Sequence, residues 1–232
     1  MSKIEEFKNK IIEQGMSDED FIELQKLLKR TKSNYHRRQH CYTTAIQFPL
    51  ENAEQAIKLI KFGLDNYEDG WYTTYTSYLF IGKIYERMQD EKSAYDSYVL
   101  ALKALGPEQQ AYIEYLSIEL LWMKLQIDNF EYSPELEEYF KLFSNTDEFS
   151  KSIKNNEFRF TIAQIVIALH YGQKDKVKAF YEQALEISKP NYVGKVEGIL
   201  KKHHYDEKLK ITSNVMHFLN EVKYFINKST TK

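Results

Sequence analysis

The chain has 232 residues with 32 Lys and Arg against 34 Asp and Glu, a formal net charge of -2 and a pI near 6.3. That length can bury a substantial core, and the balance of charge argues against a general affinity for nucleic acid or anionic membrane. The one cysteine, Cys41, excludes an intramolecular disulfide and fits a reducing compartment. Residues 1–15 carry charges throughout, and no apolar run approaches the roughly 18 residues of a membrane span, so a cytoplasmic protein is expected.

Helical punctuation begins at once. Two helices are predicted over about 3–14 and 18–32. Ser17 with Asp20, just before FIELQKLL, resembles a capping box at the second helix's start. The end of that helix and the start of the next carry the run Lys26, Lys29, Arg30, Lys32, Arg37 and Arg38. Such a run reads as a solvated face or as a basic patch for an acidic partner, with nucleic acid less favoured because no helix-turn-helix accompanies it. His36 and His40 share a helix face beside Cys41, a spacing that can ligate a metal. The usual glutamate is absent and the neighbouring cations would repel a metal ion, so no metal is expected.

The four prolines mark boundaries. Pro49 lies in FPLENAEQA, Pro107 follows Gly106 in ALGPEQQAY, Pro134 follows Ser133 in EYSPELEEY, and Pro190 lies in ISKPNYVG. Gly106 before Pro107 predicts a helix closing on a left-handed glycine before the next begins. Ser133, Pro134 and Glu135 predict an N-cap, a first-turn proline and an acid facing the helix dipole. Apolar residues recur at three and four between these marks, and no alternation suggests a strand. An all-α fold is expected.

The helices recur in pairs of similar length. Tyr78, Ile81 and Gly82 are followed by Tyr85, Ala94, Tyr98, Ala101 and Pro107. This pattern resembles the tetratricopeptide repeat, with only the proline displaced by one residue. Ala45, Phe48, Ala56, Ile60 and Gly63 form a weaker copy, and Gly172, Val177, Tyr181, Ala184 and Pro190 restore a second-helix half. Residues 108–145 keep the two-helix shape without the signature. A glycine at 82 is then explained: it lets two helices approach closely where a methyl would push them apart.

The resemblance implies a right-handed superhelix of antiparallel helix hairpins as a single domain over 1–232. Residues 1–34 would form N-terminal helices, 35–190 the repeats and 191–232 the C-terminal caps. Tetratricopeptide arrays are generally non-enzymatic and hold a protein or peptide in the groove lined by the first helix of each pair. By that analogy Gln39, Tyr42, Ile46, Thr76, Leu79, Lys83, Glu86 and Arg87 face the groove, with no catalytic residue and no cofactor. A bacterial or phage adaptor, inhibitor or immunity-type protein fits this pattern. A peptide-sensing regulator without its DNA-binding domain, similar to those of Gram-positive bacteria, is one alternative, and an enzyme with an unrecognised site is another. His203 and His204 with Asp206 are read as a polar helix end or loop. Oligomeric state is left open.

Overall fold

A computed structural model describes residues 3–144, 154–187 and 205–229. Those residues form eleven α-helices and one 3-10 turn, with no strand among them. The helices are α1 (Lys3–Gln14), α2 (Asp18–Lys29), α3 (Asn34–Ala45), α4 (Ala53–Asn66), α5 (Trp71–Arg87) and α6 (Glu91–Lys103). They continue as α7 (Gln110–Ile127), α8 (Pro134–Ser144), α9 (Lys154–His170), α10 (Lys174–Ile187) and α11 (Tyr205–Ser229). The chain divides into two compact units, Met1–Gln109 and Gln110–Lys232.

Local chemistry sets the helix ends. Ser17 and Asp20 form the expected reciprocal capping box on α2, each accepting from the other's backbone N–H. Ser33 caps α3 and Ser133 accepts from the Leu136 N–H at the start of α8. Gly106 departs from expectation. α6 ends instead at Ala104 in right-handed geometry, and among the described residues the left-handed glycines are Gly15 (φ 79°) and Gly172 (φ 65°).

Consecutive helices pack as pairs: α3 with α4 and α5 with α6 in the first unit, α7 with α8 and α9 with α10 in the second. Three of the four pairs share one turn. After α5 the Asp90 N–H reaches the Tyr85 carbonyl and the Gln89 N–H reaches Glu86. After α7, Phe130 reaches Leu125 and Asn129 reaches Gln126; after α9, Gln173 reaches Ala168 and Gly172 reaches Leu169. Each is a Schellman closure, with Gln89, Asn129 and Gly172 supplying the left-handed residue. These turns recur about forty residues apart, a helical-repeat period.

First helices of neighbouring pairs also touch. In the first unit Arg38 meets Thr73 and Thr74, Tyr42 meets Phe80, and Arg87 reaches the Phe48 carbonyl. These contacts advance together along α3 and α5, as they do for helices running the same way. In the second unit Glu119 and Trp122 of α7 meet Arg159 and Phe158 near the start of α9, and Tyr132, after α7, stacks on His170 at the end of α9. The molecule is thus a helical-repeat-like all-α fold of packed adjacent pairs.

The seams are tight where small residues fall. A Cβ built on Gly82 would sit 2.4 Å from Cε1 of Tyr98. That ring is buried, and its hydroxyl donates to Glu86 Oε2 at 2.7 Å, so it cannot swing aside freely. Ala94 and Ala101 beside it are fully buried. In the preceding pair a Cβ on Gly63 would lie 3.0 Å from the Cβ of Cys41. The core of the first unit runs from Ile11 of α1 through Leu28, Cys41 and Ile60 to Ile84 of α5. In the second unit α7 is apolar around much of its circumference and buries Leu116, Leu120, Leu121 and Leu125.

The packing at Gly82 makes a two-part prediction. Gly82→Leu should lose about 1–3 kcal/mol or more in urea unfolding, by overpacking. Once Tyr98→Ala has removed the ring, Gly82→Ala should become neutral or stabilising by up to about 1 kcal/mol, the helix-propensity gain. Gly82→Ala costing the same with and without the Tyr98 ring would refute the close-approach argument.

Candidate partner-binding surface

The proposed binding stripe lies on α3 and α5, and its members separate by surroundings. Ile46 and Lys83 are exposed, Gln39 and Leu79 half-buried. Lys83 leans over the Phe80 ring at 5.9 Å. Tyr42 is buried against Phe80, with ring centroids 5.5 Å apart. Burial pushes its phenol up to about 12, with Tyr35, Tyr72 and Asp69 adding to the effect. Thr76 is also buried, its hydroxyl donating to the Tyr72 carbonyl at 2.7 Å. Glu86 is exposed, but its carboxylate is occupied by Tyr98 across the seam. Arg87 is exposed and donates to the Phe48 carbonyl at 3.4 Å. The accessible part of the stripe is therefore Gln39, Ile46, Leu79, Lys83, Glu86 and the outer face of Arg87, with the Glu86 carboxylate held by Tyr98.

The basic run splits in two. Lys26, Lys29, Arg30 and Lys32 are exposed, Lys26 pairing with Glu23 at 3.4 Å. Arg37 turns back onto the end of α2 and donates to the carbonyls of Leu28, Lys29 and Thr31. It thereby adds a donor at the carbonyl-rich end of the helix, where Leu28 also accepts from the Thr31 N–H. Arg38 points inward and is only 5 % exposed. Its guanidinium donates to the Gly63 and Leu64 carbonyls and to the Thr73 and Thr74 hydroxyls, and Thr73 in turn donates to Asp69. Arg38 thus joins α3 to the end of α4 and the start of α5. Desolvation opposes its charge while Asp69 supports it. A solvated face or a binding patch at this point accordingly contains neither Arg37 nor Arg38 as a free cation.

The histidine and cysteine group does not converge. His36 is exposed, with Nδ1 2.7 Å from the Ser33 hydroxyl. His40 is half-buried, with Nδ1 3.7 Å from Glu5 on α1. Cys41 faces Gly63, and burial pushes its thiol up to about 12. Among the described residues no group of three or more His, Cys, Asp or Glu could hold a metal ion. His203 and His204 lie outside the described residues, as does the side chain of Asp206.

Comparison with protein-family models, curated proteins and solved structures yields no match. The tetratricopeptide resemblance therefore rests on the seam residues and pair packing alone.

The structure also brings forward residues that the repeat pattern passed over. Tyr35 at the start of α3 and Trp71 and Tyr72 at the start of α5 are exposed. In the second unit the carboxylate of Glu137 gathers Lys141, Tyr132 and Tyr171 at 2.8, 2.6 and 2.8 Å. Lys141 first and then the two phenols hold that carboxyl at about 2, and Tyr132 stacks flat on His170. A sequence signal for the Tyr35 and Trp71–Tyr72 cluster exists: each falls in the first turn of a first helix, one after Ser33 and the other after Gly70.

Two measurements test these assignments. Arg38→Met should cost about 2–4 kcal/mol, since buried carbonyls and hydroxyls lose a charged donor, while Lys32→Ala should stay within about 0.5 kcal/mol. Equal effects would show that Arg38 is a surface cation. His40 offers a pH dependence. Burial first, then Lys8, lowers its pKa below the ordinary value, against the opposing pull of Glu5. The unfolded chain then binds the proton more readily, so the stability from neutral His40 is complete above about pH 6.5 and is lost as pH falls through the folded value. Wild type should lose more melting temperature than His40→Gln between about pH 7.5 and 5.5; parallel curves would exclude His40 as the cause.

Proposed function

We propose that this protein is a non-enzymatic, tetratricopeptide-like binding module that grips a protein or peptide through the first-helix face of its first unit. On this reading the packed pairs are antiparallel hairpins in a right-handed superhelix, and the module serves as an adaptor, inhibitor or immunity-type protein in a bacterial or phage cytoplasm.

The observation that carries the proposal is the shared direction of α3 and α5. Contacts that advance from Arg38–Thr74 through Tyr42–Phe80 to Phe48–Arg87 keep the two helices in one register. On this reading Gln39 and Ile46 lie beside Leu79 and Lys83 as one strip, and the register of α3 with α5 supports it. The strip offers apolar contact, amide hydrogen bonding and one cation on rigid elements, which suits recognition of a specific surface. The resemblance to tetratricopeptide seams at Gly82, Ala94, Tyr98 and Ala101 supports the same arrangement.

Site-specific photo-crosslinking in the native host tests the proposal. A photoreactive residue at Gln39 or Lys83 should capture the same protein band, and one at Lys92, exposed on the second helix α6, should not. Capture at Lys92 equal to that at Gln39 and Lys83 would place the interface elsewhere, and no capture at the strip would remove the reading.

A further inference from the structure

A second surface lies beside that strip, where the end of α2, the following turn and the first turns of α3 and α5 come together. Arg37 ties the first turn of α3 to the last carbonyls of α2. The Asn34 side-chain amide donates to the Glu68 carbonyl at 2.9 Å, and Arg38 donates to Thr73 and Thr74. These bonds draw three chain segments into one edge. The Trp71 and Tyr72 rings at the start of α5 meet edge to face, with centroids 5.6 Å apart.

Charge is uneven on this edge. Lysines near a helix C-terminus ordinarily offset its exposed carbonyls. Here Arg37 already serves those carbonyls, so the charges of Lys29, Arg30 and Lys32 are surplus to the end of α2. All three are exposed, and none makes an ion pair among the described residues. Of the nearby acids, Glu23 is engaged by Lys26 and Asp69 by the Thr73 hydroxyl, and the exposed carboxylate of Glu68 stands as one negative charge against these three cations. The first turns of α3 and α5, drawn to this edge by those bonds, carry three large rings, Tyr35, Trp71 and Tyr72, at 38, 38 and 42 % exposure. Exposed rings of this size on an edge that also carries cations are the composition of an anchor surface rather than of ordinary solvated helix.

We infer that Lys29, Arg30 and Lys32 with Tyr35, Trp71 and Tyr72 form a docking edge for an acidic protein segment carrying aromatic or apolar side chains. Charge complementarity names the occupant. Three exposed cations are too few to track the dense phosphates of a nucleic acid, whose binding ordinarily engages about 6–10 of them, and are enough to select a short acidic peptide. The inference shares with the preceding proposal only that the partner is a protein; the residues are different.

The test uses a fluorescein-labelled random copolymer of glutamate and tyrosine, with polyglutamate and single-stranded oligo(dT) as comparisons, read by anisotropy and by Trp fluorescence. Wild type should bind the copolymer saturably, more tightly than polyglutamate, and more weakly as salt rises. The triple reversal Lys29→Glu, Arg30→Glu, Lys32→Glu should weaken the copolymer about tenfold or more, and the corresponding Gln set should weaken it less. Trp71→Ala with Tyr72→Ala should weaken the copolymer and leave polyglutamate unchanged. Circular dichroism confirms that each variant folds, and the Gln set serves where the reversal does not. Copolymer binding that is absent, or unaffected by both the reversal and the Gln set, would overturn the inference, as would tighter binding of oligo(dT). Crosslinking at Gln39 and Lys83 is scored separately: capture there with no copolymer binding leaves the strip and removes the edge, and copolymer binding without capture does the reverse.

Discussion

The backbone of α5 lies directly against an aromatic ring of α6 at Gly82, and the rest of the first unit is arranged around that approach. Because the Tyr98 ring fills the space where a side chain would stand, α5 and α6 pack at a distance only a glycine permits. Ala94 and Ala101 keep the remainder of the seam equally shallow. The Tyr98 hydroxyl then donates to Glu86, the one acid of α5, whose carboxylate stays exposed. A steric constraint in the seam thereby engages the one carboxylate that shares a helix with Lys83 and Arg87.

Charge inside the fold follows the same economy. Arg37 and Arg38 are adjacent in sequence yet perform separate tasks one helical step apart: one closes the end of α2, and the other joins three helices through carbonyls and hydroxyls. Buried guanidinium groups are tolerable only where several acceptors meet them. The acceptors here are mainly backbone and hydroxyl oxygens, with Asp69 supporting from one bond away.

Much of the architecture was legible because it depends on residue types with narrow physical uses. Ser17 with Asp20 announces a capping box, Ser133 before Pro134 announces a helix start, and Gly82 amid Tyr78, Ile81 and Tyr85 announces a close seam; each is present. Gly106 misled because α6 closes on right-handed residues instead. The left-handed position after α5 is filled by Gln89, which carries no signal of its own. The surface was harder to read. Arg38 looks like part of a solvated run because its acceptors come from Gly63, Leu64, Thr73 and Thr74, distant in sequence. Thr76 and Glu86 sit at groove spacing, yet one turns back to its own helix and the other to its partner. Helical spacing assigns a face, and hydrogen bonds then decide which members of that face are available.

The three Schellman turns have a consequence for how such a chain can change over time. Each closes through main-chain N–H and carbonyl groups, with Gln, Asn and Gly all serving at the left-handed residue. A joint held by backbone alone places little demand on side-chain identity, so substitutions can accumulate there without altering the angle at which successive helices meet. Architecture of this kind asks for a well-defined residue only where helices touch, as at Gly82, and leaves its joints free to vary.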